Sequence, residues 1–176
     1  MSMLTRLFRS RSAAGSDPRE ALRPLWHRIV ELSRDPAPYR DDGVADTVAG
    51  RFDMITVILA VVLLRLERDR VLGAEAALLT ELFVEDMDGQ MRESGVGDVV
   101  VGKKVGQLVS VLGGRLGALR EARASRERAQ LEAALARNVT MLEGRDTTAL
   151  AGRVLAFDAK VAALDSRALL GGAISL

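Results

Sequence analysis

Met54-Ile55-Thr56-Val57-Ile58-Leu59-Ala60-Val61-Val62-Leu63-Leu64 is the longest uncharged apolar run in the chain, and its reading decides the fold. Arg65 ends it after 11 residues, where a membrane-spanning helix needs about 20. Its β-branched residues Ile55, Thr56, Val57, Ile58, Val61 and Val62 would also suit a strand. Length and charged ends favour a helix, capped by Thr47 or Asp46 and reaching about Arg70. A helix that is apolar nearly all round is the central, most buried member of a bundle.

On the N-terminal side, Leu22, Leu25, Trp26, Ile29, Val30 and Leu32 recur at helical spacing, behind a Ser16 or Asp17 cap with Pro18 in the first turn. Pro36 and Pro38 stop that helix, and residues 35 to 46 read as a loop. Residues 1 to 16 read as a flexible arm in which Met3, Leu4, Leu7 and Phe8 alternate with Arg6, Arg9 and Arg11. Its residues 1–11 are suited to peripheral contact with an anionic membrane.

On the C-terminal side, a third helix runs from about Gly73 to Glu93. It sets Leu79, Phe83, Met87 and Met91 against an acidic face of Glu75, Glu81, Glu85, Asp86, Asp88 and Glu93. A fourth spans about Val99 to Ala124, with Val105, Leu108, Val109, Leu112, Leu116 and Leu119 as its apolar stripe. Gly102, Gly106, Gly113, Gly114 and Gly117 interrupt it, each at about 1 kcal/mol against alanine. Such a helix is expected to kink or to let another backbone approach, and the pairs Gly102/Gly106 and Gly113/Gly117 share faces suited to dimerisation. Ser125 is expected to cap a fifth helix to about Met141, and Asp146 or Thr147 a sixth to about Leu170, before a loose tail at 171–176. The expectation is an all-α, single-domain antiparallel bundle of about six helices over residues 17–170.

Composition narrows the chemistry. The 176 residues include no cysteine, which excludes disulfides and thiolate sites. The net charge of +1 gives no global pull toward nucleic acid, and 3% aromatics leaves few side chains for base stacking. No secretory pattern opens the chain, so the cytoplasm is the expected address. His27 is the only histidine and sits on a helix beside Trp26. Glu85, Asp86 and Asp88 point in different directions, so they make a solvated face rather than a metal cage. Gly97 to Lys103 has phosphate-loop spacing, but Lys104 follows where magnesium binding needs Ser or Thr. A small helical enzyme or carrier taking a phosphate-bearing ligand at the 95–104 loop is the alternative reading. Lys103 and Lys104 oppose the macrodipole of a helix N-terminus, which marks them as contact points.

The stretches Tyr39, Gly43-Val44-Ala45-Asp46-Thr47 and Gly50-Arg51-Phe52-Asp53 resemble the bacterial branch of the ubiquinol–cytochrome c chaperone family. So do Leu82-Phe83-Val84-Glu85-Asp86-Met87-Asp88, Met91-Arg92-Glu93, Gly95-Val96-Gly97-Asp98, Val101-Gly102-Lys103-Lys104-Val105 and Gly114-Arg115. The resemblance covers about residues 20 to 140. It implies an all-helical, non-catalytic assembly factor without cofactor or metal that binds a membrane client, cytochrome b of the ubiquinol–cytochrome c reductase, at the inner face of the membrane. It implies a client or partner face of Asp46, Arg51, Asp53, Asp86, Asp88, Arg92, Gly95, Gly97, Asp98, Lys103 and Lys104. If the cluster braces loops instead, Arg51 pairs with Asp53 or Asp86. Val57 and Ile58 stand where the family carries a histidine or aromatics, so direct haem handling is not implied.

Overall fold

The computed structural model describes residues 17–69, 71–93 and 98–176, with backbone alone at 98–105. The basic arm expected at 1–16 therefore lies outside the described residues. A 3-10 turn, Pro18–Leu22, leads into α1 (Arg23–Ser33), α2 (Ala37–Arg40), α3 (Val48–Arg68), α4 (Gly73–Glu93), α5 (Asp98–Ser125), α6 (Arg128–Asn138), α7 (Thr148–Ala163) and α8 (Ser166–Leu170). Among the described residues the one β-type pairing is an isolated bridge between Val44 and Met141. No helix among them is long and apolar enough to cross a membrane.

Helix α3 occupies the centre, as its composition requires. From Met54 to Leu66 every residue except Ile55 and Arg65 is buried, and the helix packs against α1, α4, α5 and α7. Aromatic rings knit the first contacts. Trp26 of α1 meets Phe83 of α4 edge-on at 6.0 Å, and Phe52 of α3 lies 6.4 Å from the same ring. Asp17 opens the described chain by accepting the Arg19 backbone N–H at 3.0 Å. Of the two candidates at the start of α3, Thr47 is the cap: its Oγ1 accepts from the Gly50 N–H at 3.1 Å. Thr47→Ala removes that acceptor and is expected to lower stability by about 1 kcal/mol in urea denaturation. An unchanged midpoint would show that water replaces the hydroxyl there.

Several local expectations are corrected. The loop at 35–46 contains a helical turn, because Asp35 Oδ1 accepts from Ala37 N at 2.8 Å and Pro38 has the φ that a first turn needs. Prolines that end one helix thus begin the next. The sixth expected helix breaks at Leu164, whose backbone is extended, and Asp165 then caps α8 by accepting from Ala168 N at 2.8 Å. Ser125 ends α5 instead of opening α6, and Arg126 turns the chain with φ +59°. The tail expected to be loose is docked. Ile174 is 3% exposed and its carbonyl accepts from Arg28 Nε at 3.0 Å. Gly172, at φ +79°, makes the turn beneath the Pro24 carbonyl, where a Cβ would sit 3.0 Å from that oxygen.

Helix α5 runs unbroken despite its glycines. Among the described residues nothing lies within 4 Å of where a Cβ would stand on Gly106, Gly113, Gly114 or Gly117, so no other described backbone comes close. Leu112 and Leu119 are buried, and Leu108 and Leu116 pack partly against the core. Val109, assigned to the inward stripe, is 41% exposed.

Candidate docking surface

The loop between α2 and α3 forms a polar ledge. Arg51 Nε donates to Asp46 Oδ1 at 2.6 Å, with both side chains more than half exposed. That hydrogen bond, more than the charge alone, holds the Asp46 carboxyl below its usual pKa. Arg51 therefore pairs with Asp46, not with Asp53 or Asp86. Beside the pair lies a hollow of about 310 Å³ lined by Arg34, Pro36, Tyr39 and Arg40. The Tyr39 hydroxyl donates to the Ser33 carbonyl at 2.5 Å, and burial pushes its pKa up. Tyr39 thus fixes the end of α1 against the ledge.

A larger groove of about 560 Å³ runs between α1 and α4. Arg23, His27 and Arg34 line one wall, Glu85, Asp86 and Glu93 the other, over Trp26 and Leu82. Arg34 lines both the groove and the Tyr39 hollow, so the two meet there. Asp86 accepts from Gln90 Nε2 at 3.2 Å, whereas Glu85 is held by Arg19 at 2.7 Å. Asp88 points to another side of α4, into a shallow hollow beside Arg19 and Glu81, and binds Arg92 Nε at 2.7 Å. Asp46 and Arg51 therefore line one hollow and Asp86 the adjoining groove on the other side of Arg34, while Asp88 and Arg92 sit on the next face of α4.

Asp53 lies elsewhere. Its side chain is 7% exposed and both oxygens are engaged. Oδ1 accepts from Arg115 Nη2, and Oδ2 accepts from the Thr140 N–H at 2.8 Å and hydroxyl at 2.7 Å. Arg115 also donates to Thr56 Oγ1 and rests 5.4 Å from the centre of the Phe52 ring. This network ties α3, α5 and the loop after α6 together, so Asp53 sits beneath the ledge as a brace. A second, part-buried pair, Asp42 with Arg153 of α7, anchors the loop from the other side. Sequence reasoning found neither Arg153 nor Thr140. The available signal was Asp53 and Thr56, one turn apart at the start of an apolar run, where buried polar groups require partners.

Gly95 and Gly97 lie outside the described residues. Asp98, Lys103 and Lys104 fall in the first two turns of α5, with their side chains outside the description. The segment read as a loop at 95–104 is thus helical from Asp98 onward. Among the described residues, no group of three or more His, Asp or Glu side chains is arranged to hold a metal ion.

Comparison with known proteins shows the family. The family model described as Ubiquinol-cytochrome C chaperone matches residues 40–176, a span that holds the Asp46–Arg51 pair, α4 and the Asp53 network. A crystal structure described as the Cbp3 homolog from Brucella abortus is similar with a TM-score of 0.77 at 30% sequence identity, over 98% of this chain and 96% of that one. No curated protein matches. A bundle whose polar residues flank a surface groove, in a chain that shares both sequence pattern and fold with these proteins, belongs to the ubiquinol–cytochrome c chaperone family and is a non-catalytic assembly factor.

Proposed function

We propose that this chaperone receives newly made cytochrome b on the connected surface formed by the Asp46–Arg51 ledge and the groove between α1 and α4. The observation that carries the reading is the meeting of the two hollows at Arg34, within a chain of this family. The groove offers acidic side chains above a partly apolar floor. That combination suits a polar segment carrying basic residues next to an apolar span, which is how a membrane protein presents itself before insertion. The proposed setting is the cytoplasm at the inner face of the membrane. There Arg6, Arg9 and Arg11 would add weak attraction to anionic lipid.

The test is co-purification of cytochrome b with a tagged chain, comparing the natural sequence with the double variant Asp46→Lys/Asp86→Lys. Both sites are solvent-accessible, so thermal stability is expected to stay near that of the natural chain. Recovery of cytochrome b is expected to fall about tenfold, the effect of placing like charge against a basic segment. Equal recovery by both chains would remove the proposed surface, and recovery by neither would remove the client.

A further inference from the structure

The groove between α1 and α4 keeps an excess of negative charge once the pairing partners are counted. At its edge Asp17, Arg19, Glu85, Arg23 and Glu20 form one chain of ion pairs, three carboxylates to two guanidiniums. Glu31 is balanced by Arg28 at 2.7 Å. Arg34, Asp86 and Glu93 complete the charged lining, two carboxylates to one guanidinium. The described residues of the groove thus carry two more negative charges than positive, with His27 neutral. Gly89 stands in the α4 wall between Asp86 and Glu93. Nothing lies within 4 Å of where its Cβ would be, so a further backbone can come close there.

The segment that joins the fold at this edge has the opposite charge. Residues 1–16 contain Arg6, Arg9 and Arg11 and no acidic side chain. They lead directly into Asp17, whose partner Arg19 also holds Glu85 on the groove wall at 2.7 Å. Residues 12–16 span up to about 17 Å when extended, and a helix over residues 3–11 would be about 13 Å long. The α1 wall from Arg23 to Arg34 rises about 17 Å. From its own attachment point the arm therefore reaches the whole groove. A short tether sets an effective concentration in the millimolar range, so a modest electrostatic attraction is enough to hold it there.

We propose that, away from the membrane, residues 1–11 lie in the α1–α4 groove of their own chain, with their arginines on Asp86 and Glu93 and their backbone over Gly89. The arm there covers part of the surface proposed for cytochrome b and stands in for the client's basic segment. The docking rests on charge and reach alone. Only its effect on the client rests on the proposed function.

The chain has no cysteine, so Ser2→Cys places a single nitroxide on the arm of the full-length protein. Amide NMR signals of Gly89 and Gln90 in the groove are expected to broaden more than those of Thr80 and Glu81, which belong to the other hollow beside Arg19. A tethered arm keeps that contrast on about tenfold dilution. Two variants of the labelled chain, Asp86→Lys/Glu93→Lys and Arg6→Glu/Arg9→Glu/Arg11→Glu, are each expected to cut the excess broadening about tenfold at an unchanged melting temperature. Equal broadening in the two hollows, or broadening that neither variant moves, would overturn the docking. Broadening that fades on dilution would give the groove to a second copy of the chain and overturn it as well. In the cytochrome b pull-down, the arm variant is expected to raise recovery about threefold or more, because a closed groove lowers apparent affinity by the fraction that is open. Unchanged recovery beside clear broadening in the groove would leave the docked arm standing and remove the client surface instead.

Discussion

Asp53→Ala is expected to lower the stability of the chain by about 3–5 kcal/mol, the range for removing one partner of a buried ion pair. The substitution leaves the Arg115 guanidinium, 11% exposed, without its counter-charge. It also leaves the Thr140 N–H and hydroxyl without their acceptor. The guanidinium keeps its bond to Thr56 Oγ1 but loses its counter-charge away from water, whereas Thr140 is exposed and its groups can turn to solvent. The double variant Asp53→Leu/Arg115→Met removes both charges together and is expected to recover a large part of the loss, because two apolar side chains carry no desolvation penalty. Urea denaturation of the three chains measures both effects. A single variant within about 1 kcal/mol of the natural chain would show that Asp53 does not brace the fold, and would return it to the set of surface contacts.

Gly50→Ala is expected to cost about 3 kcal/mol or more, through sterics alone. A Cβ at this position would stand 1.9 Å from the Ala45 carbonyl oxygen, which is backbone and cannot rotate away. The carbonyl accepts from Thr47 N at 2.9 Å, and Ala45 N donates to Thr140 O at 2.9 Å. Moving it therefore loosens both the cap of α3 and the bridge beside it. Gly113→Ala provides the contrast. Its Cβ would meet nothing within 4 Å, so helix propensity alone predicts a gain of up to about 1 kcal/mol. Similar denaturation midpoints for the two variants would show that close approach at Gly50 is relieved at little energy.

The helices were legible where a single segment carried the whole signal. Met54 to Leu64 favoured a buried helix over a strand by its length and charged ends, and the cap was narrowed to Asp46 or Thr47. The same local logic missed the break at Leu164, because the apolar spacing of α7 continues past the point where Asp165 captures the backbone. It missed the docking of Ile174 because the partner, Arg28, is 146 residues away. The site divides along the same line. Asp46 and Arg51 are five residues apart and were both singled out, although the partner expected for Arg51 was Asp53 or Asp86. Asp53 finds Arg115 at a separation of 62 residues, and Asp42 finds Arg153 at 111. No periodicity or motif spacing encodes such partners. Asp53 was grouped with its exposed neighbours because one helical turn separates a solvent-facing position from an interior one.

The bridge between Val44 and Met141 has a bearing on when the chaperone becomes competent during its own synthesis. Everything that forms the ledge, from Arg34 to Arg51, leaves the ribosome early. What immobilises it arrives roughly a hundred residues later: Thr140 on Ala45 and Asp53, Leu142 N–H on the Gly43 carbonyl at 2.8 Å, and Arg153 on Asp42. Contacts so distant along the chain form slowly, because a long loop must close before they bring any gain. A nascent chain halted near residue 135 would thus carry the full set of ledge residues with only their local contacts, Tyr39 on Ser33 and Arg51 on Asp46, to hold them. On the proposed reading of the ledge, the capacity to receive a client is deferred until the last third of the chain has been translated.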